Sequence, residues 1–214
     1  MNRILLFSTA TLASVAIGGG AYYFGQQRLP DDVFAQCRST STVASARIGG
    51  PFELIDGAGA TVTEADVIDG LTLVYFGYTF CPDVCPFDTA RNAQAVEILE
   101  QGGTMVKPVM ITIDPERDTP DVMRDFASYI HPRMVGLSGS LPQIKAAAKA
   151  YQVYFAKEAE PEDPEYYLME HSTFTYLMHP DYGFLQFFGR APRAEEIAET
   201  VACYADVIET SQTN

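Results

Sequence analysis

The run Leu71–Phe76 (LTLVYF) ends a few residues before the pair Cys81 and Cys85, and it limits the fold more than any other segment. It is almost continuously apolar, so a strand made from it must be buried on both faces, in the interior of a sheet. Such a sheet needs helices to cover it, and the flanking sequence supplies them. After Pro86, the residues Phe87, Ala90, Ala93, Val96 and Leu99 recur at helical spacing until Gly102 and Gly103 stop them. Val109–Ile113 (VMITI) reads as a second strand, and Thr119 with Pro120 forms an N-cap and first-turn pair for a helix carrying Val122, Phe126 and Ile130. Val135–Leu137 suggests a further strand, and Ile144, Ala148 and Tyr151 mark another helix. Pro51–Gly57 reads as a strand entering a hairpin at Asp56 and Gly57. Phe174–Met178 and Phe184–Phe188 flank a hairpin turn at Asp181–Gly183, and a last helix from about Pro192 carries Ile197, Val201, Tyr204 and Ile208 on one stripe. Strands alternating with helices, closed by a hairpin, predict an α/β domain with a mixed sheet flanked by helices.

This domain occupies only part of the 214 residues. From Ile4 to Phe24 the chain carries about 21 uncharged residues, enough at 1.5 Å rise per residue to span roughly 30 Å of hydrocarbon. An uncleaved anchor is favoured over a cleaved signal peptide because the apolar run continues past the small residues Ser14 and Ala16. Either reading exports the rest of the chain. The segment Gln26–Arg47 is polar, rich in Ser, Thr and Ala, and without periodicity, which suits a tether. The expected layout is a cytoplasmic N terminus at 1–3, one transmembrane helix at 4–24, a flexible tether at 25–47, the domain at 48–210 and a tail at 211–214. The acidic stretch Glu158–Glu165 reads as a solvated loop. A net charge of −14 leaves no basic stripe to neutralise phosphates, which argues against a nucleic-acid partner.

Cys81-Pro-Asp-Val-Cys85 falls where the buried strand ends and a helix begins, a place where unpaired backbone N–H groups favour thiolates. If the segment is helical, the two cysteines share one face about 6 Å apart along the axis, within reach of a disulfide or of one metal ion, with Pro82 opening the first turn. The carboxylate of Asp83 works against the thiolates. Two thiolates alone make a low-coordinate Cu(I) site or a redox pair, and a neutral imidazole would complete a trigonal site for a soft metal. Of the three histidines, His171 opens a strand-like run and can be brought over the motif by sheet pairing, whereas His131 and His179 each precede a proline at an element end. Cys37 and Cys203 remain, either as a disulfide or as two free thiols.

Three strings, in order, add a resemblance: YFGYTFCPDVCP (Tyr75–Pro86), TIDPERDTP (Thr112–Pro120) and HSTFTYLM followed by PDYGFL (His171–Leu185) look like the Sco/SenC family. The match runs from about Ile48 to Glu209. The resemblance implies a thioredoxin-like fold behind an N-terminal membrane anchor. It also implies a copper site made by Cys81, Cys85 and His171, taking Cu(I) and leaving Cu(II) open. The implied task is delivery of copper to the binuclear site of cytochrome c oxidase subunit II, or reduction of that site's cysteines. The implied setting is the bacterial inner membrane with the domain in the periplasm, or the equivalent mitochondrial topology, with a periplasmic copper donor or thiol reductant as a further partner. The family commonly has Asp before the metal-binding His, where this chain has Glu170.

Plainer readings stand beside these. Cys81 and Cys85 could form a permanent disulfide, and His171 could be a hydrogen-bonded strand residue. Met105, Met110, Met169 and Met178 are soft donors that usually fill cores, and Met169, two residues from His171, is the one to test. A copper metallochaperone requires His171. A thiol-disulfide oxidoreductase working through Cys81 and Cys85 on that copper site or on other exported proteins does not. A redox or copper sensor would rest on the anchor alone.

Overall fold

A computed structural model describes residues 32–38, 48–158 and 166–212. The chain divides into two units, Met1–Ala35 and Gln36–Asn214. In the first, the Asp32 carbonyl accepts the Ala35 N–H in a short turn. The run Ile4–Phe24, most of the tether, and all of the acidic stretch but Glu158 lie outside the described residues. Among those described, no helix is long and apolar enough to cross a membrane.

The second unit is built on nine strands and five α-helices among the described residues. The strands are β1 (Glu53–Asp56), β2 (Thr61–Thr63), β3 (Thr72–Gly77), β4 (Lys107–Thr112), β5 (Val135–Ser138), β6 (Phe155–Lys157), β7 (Met169–His171), β8 (Thr175–His179) and β9 (Gly183–Phe188). The helices are α1 (Glu64–Val67), α2 (Val84–Gln101), α3 (Pro120–Ile130), α4 (Leu141–Ala150) and α5 (Ala194–Gln212). Seven strands form one mixed sheet in the order β2-β1-β5-β4-β3-β8-β9. Strands β3, β4 and β5 are parallel, β1 and β8 flank them antiparallel, and the hairpins β1–β2 and β8–β9 close the two edges.

Every residue of β3 is buried, as its apolar run requires, because helices cover both faces of the sheet. Helices α2 and α5 pack together, and α3 and α4 lie against β5 and β1. The predicted stripe Ile197, Val201, Tyr204 and Ile208 is buried, and the Tyr204 hydroxyl donates to the Leu185 carbonyl. Phe76, Tyr151 and Tyr176 pack tilted or edge-to-face with ring centres 5.3 to 6.4 Å apart; such pairs each add about 0.5–1.5 kcal/mol beyond their burial. Thr119 caps α3 as its sequence predicts, accepting the Val122 N–H. Met110 and Met178 are core residues, and Met105 is exposed.

Two elements differ from expectation. The cysteine motif is not helical throughout: α2 starts at Val84, Asp83 is its N-cap, and Cys81 and Pro82 lie in the approach. A residue that precedes proline is pushed out of the helical region, which holds Cys81 back, while Pro86 falls in the first turn, where its missing N–H costs nothing. His171 does not open a strand of the main sheet. It ends β7, which pairs only with β6 in a separate two-stranded ribbon where Phe155 faces His171.

Candidate metal and thiol centre

The chain leaves β3 at Gly77, crosses Tyr78–Asp83 and enters α2. That crossing is held from outside the motif. The Asp118 carboxylate, itself buried, accepts the Thr79 N–H at 3.0 Å, the Thr79 hydroxyl at 2.5 Å and the Thr112 hydroxyl at 2.7 Å. At the head of α2, the Asp83 side chain makes no cap hydrogen bond. The Cys81 sulfur takes that place and accepts the Cys85 N–H at 3.4 Å.

The two thiols are both free and both buried, and their environments push them apart. Burial alone would raise Cys81, but the N–H groups of Cys85, Asp83 and Val84 outweigh it and hold the thiol below its ordinary value of 9.0. The Asp83 amide thus favours the thiolate. At Cys85 burial dominates: the Tyr78 N–H and the Tyr75 hydroxyl pull the thiol down, but they do not offset burial and the nearby Cys81, which together push it up to about 12. The outer cysteine is therefore the more easily ionised, and the inner one holds its proton.

His171 comes to Cys85 rather than to Cys81, with its Nε2 3.5 Å from the Cys85 sulfur. The other ring nitrogen, Nδ1, lies 2.9 Å from the Ser172 carbonyl. A carbonyl only accepts, so Nδ1 carries the proton and Nε2 presents a lone pair. Burial, against weaker pulls from Ser172 and Asp88, lowers the ring below 6.5 and keeps it neutral at neutral pH. Tyr75 and Tyr78 hold the imidazole edge-on, with ring centres 6.3 and 6.0 Å away. The three predicted residues thus meet through Cys85. Among the described residues, no three His, Cys, Asp or Glu side chains are already closed into a cation-binding cluster. A shallow cleft lined by Tyr78, Cys81, Val84, Met169 and His171 opens the centre to solvent. Met169 is half-buried there, on the His171 side of β7, and Glu170 between them is exposed. His131 and His179 are engaged elsewhere, each accepting a local backbone N–H at Nδ1.

Compared with known proteins, residues 40–206 match SCO1/SenC. This chain belongs to the SCO1/SenC family. Protein SenC of Rhodobacter capsulatus is 50% identical over 179 residues, covering 84% of this chain and 80% of that protein. The copper-bound ScoI of Arabidopsis thaliana superposes with a TM-score of 0.68 at 38% identity, over 77% of this chain and 99% of that one. Copper-bound yeast Sco1 superposes with a TM-score of 0.70 at 33% identity, over 75% and 90%. The mixed sheet flanked by helices is the thioredoxin-like fold of the Sco proteins.

Residue-by-residue reading of this SCO1/SenC chain missed the supports around the centre. Tyr75 reads as one more apolar strand residue, yet its hydroxyl donates to the buried Asp88 carboxylate at 3.3 Å while its ring bounds His171. Thr112–Pro120 stands out as a string, but nothing in its spacing says that Asp118 grips Thr79 or that Arg117 reaches Tyr167. The one usable signal was the density of charge in a segment that begins in a buried strand.

Proposed function

We propose that this SCO1/SenC protein carries Cu(I) on Cys81, Cys85 and His171 and passes it to the binuclear copper site of cytochrome c oxidase subunit II. The observation that carries the reading is the His171 Nε2 lone pair, fixed by the Ser172 carbonyl and set 3.5 Å from the Cys85 sulfur. Two thiolates and one neutral imidazole are a soft, three-coordinate set that suits Cu(I) better than Zn or a hard cation. Transfer then proceeds by ligand exchange with incoming thiolates, which the cleft at Cys81 admits. Membership of a family whose copper-bound members share this fold supports the cargo. Residues 4–24 would anchor the chain in the bacterial inner membrane, 25–47 would form the tether, and 48–210 would work in the periplasm or in the equivalent mitochondrial compartment.

The unequal thiols favour a second reading, thiol-disulfide exchange. The Cys81 thiolate attacks a substrate disulfide, one substrate thiolate leaves, and Cys85, giving up its proton, then attacks the Cys81 sulfur and releases the second thiol. The product is a Cys81–Cys85 disulfide that a periplasmic thiol reductant must reopen.

Competition for Cu(I) between the reduced full-length chain and a chromogenic chelator separates the two. His171→Ala is expected to weaken a one-to-one complex by at least about a hundredfold, since loss of a ligand's support alone reaches that size. Unchanged affinity alongside brisk exchange with an oxidised substrate would make the protein an oxidoreductase instead.

A further inference from the structure

Cys81 sits on the crossing that leads into α2, Cys85 in the first turn of that helix and His171 on the β6–β7 ribbon, so the distance between thiols and imidazole depends on what joins those elements. Arg117, in the turn between β4 and α3, touches both. Its Nε donates to the Asp114 carboxylate at 2.5 Å and its Nη1 donates to the Tyr167 carbonyl at 2.9 Å. Its guanidinium carbon lies 3.7 Å from the centre of the Tyr167 ring, 4.6 Å from that of Phe80 and 5.7 Å from that of Tyr78. Tyr78 and Phe80 belong to the crossing just before Cys81, and Tyr167 leads into β7. The joint closes on itself, because the Tyr167 hydroxyl donates to the same Asp114 at 2.8 Å and the Tyr78 hydroxyl accepts the Met169 N–H at 3.3 Å. Asp114 is fixed in turn by its own N–H, donated to the Thr112 hydroxyl.

Only a planar cation with several donors fits this place, since it must pair with a carboxylate and a carbonyl edge-on while three rings lie around it. A salt bridge needed for stability alone would not require contact with both elements. Resting on the copper reading above, we infer that Arg117 is a positioning residue that holds the His171 ribbon against the cysteine crossing and so sets how much the imidazole adds to Cu(I) binding. Without it, the ribbon moves off and the site falls back to the two thiolates.

The test is a four-protein cycle in the reduced full-length chain: wild type, Arg117→Met, His171→Ala and the double variant, each titrated with Cu(I) against a chelator. Arg117→Met is expected to weaken binding roughly tenfold, a size usual for directly coupled residues, but to change affinity less than about twofold where His171 is already absent. Equal losses in both backgrounds, or none in either, overturn the inference. Arg117→Lys, which keeps the charge without the planar fork, guards against a misfolded Met variant and is expected to lose affinity likewise; full affinity with Lys would overturn the role of the fork. A metal-free arm tracks the His171 ring protons by NMR, which the edge-on Tyr75 and Tyr78 rings shift from their free positions. Both Arg117 variants should move those signals toward the free values, and unmoved signals count against the inference. If His171→Ala leaves Cu(I) affinity intact, the copper reading fails by itself, and the NMR arm still decides whether Arg117 positions the ring.

Discussion

The hydrogen bond from His171 Nδ1 to the Ser172 carbonyl assigns the chemistry of the opposite nitrogen before any metal arrives. Proton release must then come from the thiols. Above neutral pH the imidazole is already neutral, because its ordinary value of 6.5 is lowered, and Cys85 still holds its proton up to about 12. Cys81 ionises below 9.0. Where Cys81 is already a thiolate, binding Cu(I) displaces one proton and the apparent affinity should rise about tenfold per pH unit; at lower pH two protons leave and the rise steepens toward about a hundredfold. Chelator competition at pH 7, 8 and 9 checks this, and a flat profile would mean that Cys85 does not bind as a thiolate. Cys81, Cys85 and His171 stood out in the sequence as candidates because their chemistry is rare and their strings distinctive. The difference between the two thiols was not, because it comes from amide groups aimed at one sulfur and a packed interior around the other.

At the level of elements, β3 was the easiest strand to read and the ribbon the hardest. An apolar run bounded by a motif announces a central strand, and Thr119 with Pro120 or Gly102 with Gly103 announce where helices start and stop. Strands β6 and β7 are three residues each and pair across an intervening acidic stretch, so neither offers enough length for a periodic signal. The short ribbon nonetheless carries His171. The end of β3 shows how tightly such pieces meet. A Cβ added at Gly77 would lie 2.7 Å from Cε1 of Tyr75 and 3.0 Å from the Cys85 sulfur. Gly77→Ala is therefore expected to cost about 1–3 kcal/mol of stability, as overpacked cores do. It should also disturb the imidazole contact through Tyr75 and Cys85. Chemical denaturation measures the first effect and Cu(I) competition the second; a variant normal in both would show that the helix end yields freely.

Across the whole molecule, the disulfide between Cys37 and Cys203 joins residues 166 positions apart, with their Cα atoms 5.7 Å from each other. Spacing in the sequence left this pairing open against two free thiols, since connectivity lies in the fold and not in the intervals. Closing so long a loop restricts the unfolded chain, so Cys203→Ser is expected to cost about 2–5 kcal/mol and to lower the thermal midpoint by roughly 5–15 °C. Calorimetry of the non-reduced protein checks this, and an unchanged midpoint would show that the bond constrains nothing the fold does not already fix. The bond also places this protein under a constraint of timing. Synthesis runs from the N terminus, so Cys37, Cys81 and Cys85 all emerge before Cys203. In an oxidising compartment, any disulfide that Cys37 forms within its own chain during that interval is a mispairing, and it captures one of the two thiols of the candidate centre. A molecule with Cys37 and Cys203 joined and its inner cysteines free has therefore either waited for its last helix or been corrected by exchange, and a chain cut short before Cys203 leaves Cys37 no correct partner.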